Sequence, residues 1–218
     1  MIFFLLGLSY QSEAKGKSPK AALPYSKLAQ SYFQRVPLYY QGLTQDWKLI
    51  LTNWKEWAEK SLEEENYQEL SEYASLLSPW NEGDTIKELS RKLLIKVKEI
   101  LTTTEEEHIQ QYALSLSQDL ESGELKEVFG EVIQEEVENL INENKIEKLN
   151  SLWRLAKWFS PFPVNTSEKI GILLEQTLKQ KVSQTQLSEV ELNKYASFWH
   201  FLNLTSEKSR QLSFVLLE

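Results

Sequence analysis

The 218-residue sequence predicts an all-α protein, an α-solenoid of about five helical hairpins, or about ten helices, with a period of about 40 residues. The first observation behind this prediction is a short apolar pattern that recurs five times along the chain. The second is the scarcity of turn formers, because seven Gly and six Pro are too few for a turn-rich β-sandwich. The third is a composition of 41% hydrophobic and 26% charged residues, which is typical of a folded globular chain.

The recurring pattern consists of an apolar residue, then an apolar residue or Tyr three positions later, then Ala, then another apolar or aromatic residue. This i, i+3, i+4, i+7 spacing marks one face of an α-helix, so each copy predicts a helix with an inward stripe. A small residue at the same place in each copy allows a neighbouring helix to approach closely. The repeated alanines are Ala29, Ala74, Ala113, Ala156 and Ala196.

The segments around the pattern also repeat. A proline follows three of the predicted helices, where its ring is incompatible with a continuing helix. Each connection then leads to a second helix, such as one that Asp84 or Thr85 begins. Residues 166–169 and 205–208 have the same sequence, Thr-Ser-Glu-Lys, and their hydroxyl groups are candidate N-caps. The three prolines are Pro37, Pro79 and Pro161.

The first helix of each unit resembles the first helix of a tetratricopeptide repeat. Tyr25, Leu28, Ala29 and Tyr32 carry this resemblance most clearly. The unit is longer than the roughly 34 residues of that family, and its length is closer to that of HEAT-type units. The resemblance implies an α-solenoid of helical hairpins and names no specific family. A compact bundle without a superhelical array is the alternative.

The N-terminal segment has the features of a signal peptide. Residues 1–8 form an apolar run that is far shorter than the roughly 20 residues a membrane-spanning helix needs. Ser12-Glu13-Ala14 is a small-x-small triplet of the kind that precedes a cleavage site. We therefore predict a signal peptide over residues 1–14, which makes the protein secreted or periplasmic. The alternative is an apolar tail on a cytoplasmic chain.

The rest of the chain divides into two predicted parts. Residues 15–23 are expected to be a flexible lead-in, because Gly16, Ser18 and Pro19 interrupt the apolar pattern. Residues 24–218 are expected to form the helical-repeat domain. Beyond Leu8 the sequence has no apolar stretch long enough to span a membrane, so we expect no stable membrane span in the mature chain.

The seven tryptophans are many for this length. Trp47, Trp54 and Trp57 lie on one side of a predicted helix, and such a stripe either binds a partner or ligand or packs into the core. Core packing is the commoner reason for this spacing. The predicted partner or ligand contacts are Trp47, Trp54, Trp57, Trp80 and Trp158.

The chain ends on an apolar segment, although terminal repeats of a solenoid usually present a polar outer face. We therefore predict an association edge in the C-terminal helix, through which two copies of the chain would form a homo-oligomer. Its residues are Phe214, Val215, Leu216 and Leu217.

Several classes of chemistry have no support in the sequence. A net charge of −8 disfavours a nucleic-acid surface, and the absence of Cys removes thiol nucleophiles and thiolate metal sites. The two histidines, His108 and His200, form no metal-binding pattern, and no nucleophile elbow or phosphate-binding loop occurs. We predict no enzyme activity, no cofactor and no metal.

The sequence therefore predicts a scaffold or adaptor that binds a protein or peptide partner through its helical-repeat surface. The alternative is a secreted helical protein that binds a glycan, a lipid or another small ligand through its tryptophans.

Overall fold

A computed structural model describes residues 2–36, 45–80, 82–105, 108–120, 123–143, 145–156, 158–159 and 164–183. The regular structure in these ranges is entirely helical, which confirms the predicted all-α class. None of the helices in the described part is long and apolar enough to cross a membrane.

Nine α-helices occur in these ranges. From α3 onward, long helices of 19 to 21 residues alternate with short ones of 11 residues. A short 3₁₀ turn, Ser78–Trp80, follows α4. The helices are α1 Ile2–Ala14, α2 Pro19–Phe33, α3 Gln45–Glu63, α4 Tyr67–Leu77, α5 Gly83–Thr103, α6 Ile109–Asp119, α7 Glu124–Asn142, α8 Ile146–Ala156 and α9 Val164–Ser183.

Residue contacts divide the chain into two compact units. Unit 1 comprises the described parts of Met1–Val97 and Leu114–Phe129, and unit 2 those of Lys98–Ala113 and Gly130–Glu218. The boundaries fall within α5, α6 and α7, so each of these helices contributes residues to both units.

The repeated alanines lie on α2, α4, α6 and α8, and all four are buried, as their inward position predicts. Ala196 lies outside the described residues. In α4 the whole stripe of the pattern is buried, including Leu70, Tyr73 and Leu77.

Helix α2 buries a different face from the predicted one. Leu28 was expected in its inward stripe, but its side chain is 46% exposed. The buried face instead carries Ala22, Ser26, Ala29 and Phe33. This face meets two helices, because the Phe33 ring packs on Gly7 of α1 and the Ser26 side chain lies against Tyr73 of α4.

Helices α3 and α5 lie side by side and run in the same direction. The ammonium of Lys55 lies 2.8 Å from Glu88, and the ammonium of Lys92 lies 2.7 Å from Glu59. Lys96 donates a hydrogen bond of 3.0 Å to the carbonyl of Leu62. The paired residues are 33 or 34 positions apart in every case. A constant separation along two helices means a parallel register.

Helices α2 and α4 have the same relation. Lys27 and Glu72 form an ion pair of 2.6 Å, and the Gln30 amide donates to the carbonyl of Leu76 at 3.2 Å. These pairs are separated by about the same number of residues, so the two helices also run parallel. In unit 1, therefore, α2 lies beside α4 and α3 lies beside α5.

Two predicted boundaries differ from the structure. The lead-in expected over residues 15–23 includes the first turn of α2, because Pro19 is favoured at a helix start and Ser18 caps it. The Ser18 hydroxyl accepts a hydrogen bond of 3.4 Å from the Ala21 amide. Helix α9 begins at Val164, before the predicted capping residue Thr166.

Candidate functional site

Trp47 and Trp54 lie in the core of unit 1. Trp54 is fully buried and Trp47 is 6% exposed, so neither presents its ring to solvent. The Trp47 ring packs edge-on against Phe33, with ring centres 5.0 Å apart, and against Trp80, with ring centres 4.6 Å apart. Trp57 packs on the Tyr73 ring at 5.7 Å. Trp47 and Trp54 therefore have the core role that the sequence left open, rather than that of a surface platform.

Two buried polar groups of this aromatic core have hydrogen-bond partners on distant helices. The Trp54 indole Nε1 donates to the side-chain oxygen of Gln11 on α1 at 3.1 Å. The Tyr73 hydroxyl donates to the carbonyl of Pro19 on α2 at 2.6 Å. Burial raises the pKa of Tyr73 well above its usual value, because the charged phenolate would lose its hydration. These bonds fix the orientation of the rings.

The remaining predicted contact residues lie nearer the surface. Trp57 and Trp80 are half-buried in unit 1, and Trp158 of unit 2 is 41% exposed. The predicted association edge, residues 214–217, lies outside the described residues.

Helix α1 packs closely on α2 through a glycine. Gly7 is buried, and a Cβ atom at this position would lie 2.2 Å from Cε1 of Phe33. The Phe33 ring therefore lies directly on the backbone of α1, where no other residue would leave room for it. Ala14 is also fully buried, and Phe4 packs against the Phe33 ring at 5.8 Å. The segment predicted as a signal peptide is thus an integral helix of unit 1 in this structure.

The opposite side of α1 is apolar and exposed. Its four large side chains are between 38% and 73% exposed to solvent. They recur at i, i+1, i+3 and i+4, so they share one helix face. A helix that is apolar on both sides is unusual at a protein surface unless it meets a partner. The residues are Ile2, Phe3, Leu5 and Leu6, and together they form the α1 face.

Cations border the α1 face. The Arg35 guanidinium lies over the Phe3 ring, 5.6 Å from its centre, and over the Tyr32 ring at 5.8 Å. Lys15 and Lys17 follow the other end of α1. Residues 1–36 contain five of the 24 Lys and Arg residues but only one of the 32 Asp and Glu residues. This part of an acidic chain is therefore locally basic.

The sequence did contain the signal for this surface. The apolar run at residues 1–8 is visible in the sequence, but its continuous hydrophobicity also predicts a signal peptide. Periodicity does not separate the two, because nearly every position in the run is apolar.

No group of three or more metal-ligating side chains comes together among the residues that the structure describes. His108 lies 3.5 Å from the Glu105 carboxylate, and both side chains are exposed. His200 lies outside the described residues.

Comparisons of the chain with protein-family models, with curated proteins and with solved structures found no match.

Proposed function

We propose that this protein is a non-catalytic scaffold or adaptor that binds a partner protein or peptide through a helical-repeat surface. The parallel pairs α2/α4 and α3/α5 support the repeat array, because stacked hairpins place equivalent helices side by side. The buried alanines support it too, because they occupy equivalent places on the short helices. The proposed architecture is a tetratricopeptide-like or HEAT-like α-solenoid, with no specific family implied.

The α1 face is the docking surface in this proposal, and its exposure is the observation that carries the proposal. Ile2 and Leu5 are each more than half exposed, which leaves a contiguous apolar surface in water. A partner helix with its own apolar stripe would cover it, as in helix-in-groove recognition. Because the surrounding residues are basic, the partner that fits is an acidic amphipathic helix of another protein.

This docking surface requires that residues 1–14 remain on the chain. Their removal as a signal peptide, with secretion or export to the periplasm, stays a prediction that competes with the docking proposal. Retention corresponds to a chain that stays in the cytoplasm. The intact mass of the protein purified from its own cells distinguishes the two, and a mass that lacks residues 1–14 would overturn docking on α1.

The test compares three tagged full-length chains in quantitative capture experiments from the native source. One is the wild type, one carries Leu5→Glu in the α1 face, and the matched control carries Leu49→Glu. Leu49 is equally exposed, at 58% against 56%, but lies on α3. We expect a partner that the wild type and the Leu49→Glu control retain and that Leu5→Glu loses.

The captured partner must also contain an acidic amphipathic segment that binds the purified wild-type chain as a synthetic helix. Equal retention of every partner by the Leu5→Glu and Leu49→Glu chains would refute the docking surface. If the only molecule that the Leu5→Glu chain fails to capture is a second copy of the chain itself, the α1 face would instead be the interface of a homo-oligomer.

The alternative of a glycan, lipid or other small ligand held by tryptophans has one favourable observation, the exposure of Trp158. Because Trp47 and Trp54 are buried, that alternative depends on Trp57, Trp80 and Trp158. The test compares the tryptophan fluorescence of the wild type with that of a Trp158→Phe variant. A ligand that quenches the wild-type fluorescence but not that of the variant would favour this alternative.

A further inference from the structure

Unit 2 contains a cavity of about 470 Å³, a volume in the range of small-molecule sites. It lies where the last turns of α5 and α7 meet the first turn of α6 and the middle of α8. Its inner wall is mainly aliphatic and buried, whereas the side chains of Thr102 and Lys148 are exposed at its rim. The cavity therefore has a mainly apolar interior and a polar mouth. The buried wall consists of Leu101, Ile109, Leu140 and Leu152 together with one polar residue, Asn150.

The charged side chains that line the cavity are lysines. The ammonium of Lys98 is paired with the Glu136 carboxylate. Lys148 forms no ion pair within the described part of the chain, although the Glu143 carboxylate, which pairs with Lys145 at 2.6 Å, also interacts electrostatically with it. The N–H donors of the Lys148 ammonium can therefore bind a ligand at the mouth.

The hydroxyl groups at the rim are less suited to bind an anion. The Thr102 hydroxyl donates to the carbonyl of Glu99 at 2.6 Å, and the Thr104 hydroxyl donates to the carbonyl of Ile100 at 2.8 Å. Each uses its only proton within its own helix, so it can offer a ligand only lone pairs. An anionic head group would therefore depend on the lysine ammonium.

We propose that this cavity binds an aliphatic carboxylate, with its hydrocarbon tail against the four buried aliphatic residues and its carboxylate at Lys148. The apolar wall disfavours a small hydrated anion such as free phosphate, which would lose its water without gaining partners. The lysines disfavour a cationic amphiphile of the same length. An aliphatic carboxylate packs its tail against the aliphatic wall and pairs its charge with the ammonium of Lys148 at the mouth. The site shares no residue with the α1 face, so it stands or falls independently of the proposed function.

The first test is calorimetric titration of the full chain with dodecanoate, kept below its critical micelle concentration. Dodecyltrimethylammonium provides the probe of opposite charge and equal tail length. We expect saturable binding of dodecanoate, with an affinity at least about tenfold higher than that of the cation. Equal affinities, or no saturable binding of dodecanoate, would refute the proposal.

The second test uses variants of the same chain. Lys148→Glu reverses the charge at the mouth and is expected to weaken dodecanoate binding by at least about tenfold. Lys169→Glu is the matched control, because Lys169 is an exposed lysine of unit 2 that does not line the cavity. It should bind dodecanoate like the wild type.

A third variant addresses the cavity itself. Ser151 is a half-buried residue of the wall, and Ser151→Phe places a ring in the space that the tail would occupy. Binding should then be lost, while the circular dichroism spectrum and melting temperature show that the chain is folded. Undiminished binding in both a folded Ser151→Phe chain and the Lys148→Glu chain would mean that dodecanoate binds elsewhere, which would overturn the assignment of this cavity.

Discussion

The two units fill the spaces between their helices in different ways. Unit 1 uses large rings, and Phe33, Trp47 and Trp54 lie together where α1, α2 and α3 meet. Unit 2 uses mainly aliphatic side chains, such as Leu140 and Leu152, and leaves a cavity of about 470 Å³. Both units nevertheless bury the repeated alanine of the short helices.

This difference separates two roles within one repeat pattern. The repeated alanine determines how closely two helices approach, because any larger side chain would hold them apart. The variable positions around it determine whether the remaining space is filled. In unit 1 rings pack against one another, and in unit 2 aliphatic residues near helix ends line the cavity.

The largest effect is expected from removal of a central ring of unit 1. Trp54→Ala deletes a fully buried side chain and leaves Gln11 without the indole donor, so we expect a loss of about 3–5 kcal/mol in the free energy of unfolding. Urea denaturation followed by circular dichroism measures this loss. Trp158→Ala in unit 2 is the control, and it should cost less because that ring is 41% exposed. Equal losses would contradict the distinction between a buried and an exposed ring.

The next effect concerns the contact of α1 with α2. Gly7→Ala places a methyl group against the Phe33 ring, which Trp47 and Trp54 hold in place, and should cost about 1–3 kcal/mol. Gly83→Ala is the control, because no atom lies within 4 Å of the added Cβ there. The two melting temperatures measure the difference. If the Gly7→Ala and Gly83→Ala chains have the same melting temperature, Gly7 of α1 does not pack against the Phe33 ring of α2.

A comparable overpacking is expected at the repeated alanine in both units. Ala74→Leu in unit 1 and Ala156→Leu in unit 2 should each lower stability by about 1–3 kcal/mol, because both side chains are almost completely buried. Gln68→Leu on the exposed side of α4 is the control for a leucine that meets no neighbour. Unchanged melting of both alanine variants would remove the physical basis of the repeat alignment.

The smallest effect at neutral pH is that of Tyr73→Phe, which removes the hydrogen bond to the Pro19 carbonyl and should cost about 0.5–1.5 kcal/mol. The variant also has a defined pH dependence. The folded state raises the pKa of Tyr73 above its usual 10.0, so above that pH the unfolded chain loses this proton first.

The stability that Tyr73 contributes is therefore complete below pH 10.0 and falls at higher pH. The loss approaches about 1.4 kcal/mol for each pH unit above the unfolded pKa. The wild type should lose stability more steeply than Tyr73→Phe between about pH 10 and about pH 12, as measured by urea midpoints. Parallel loss in the two chains would mean that Tyr73 is not buried as a neutral phenol.

The sequence by itself determined the helical class, most of the helices and the burial of the repeated alanines. These features depend on local information, because the i, i+3, i+4, i+7 spacing and a capping residue such as Ser18 act within one or two turns. The core role of the tryptophan stripe was also the more typical one for its spacing. None of these features depends on which helices are neighbours in the folded protein.

Only the packing of the helices shows which face of each helix meets which neighbour. The sequence pattern placed Leu28 inside, but α2 buries a face that carries Phe33, whose ring lies on Gly7 of α1. The lysine-rimmed cavity is equally invisible in the sequence, because its walls come from four helices whose residues are far apart along the chain. Such contacts depend on the shapes of side chains from different helices, which touch only after the helices pack. A local sequence pattern therefore does not predict them.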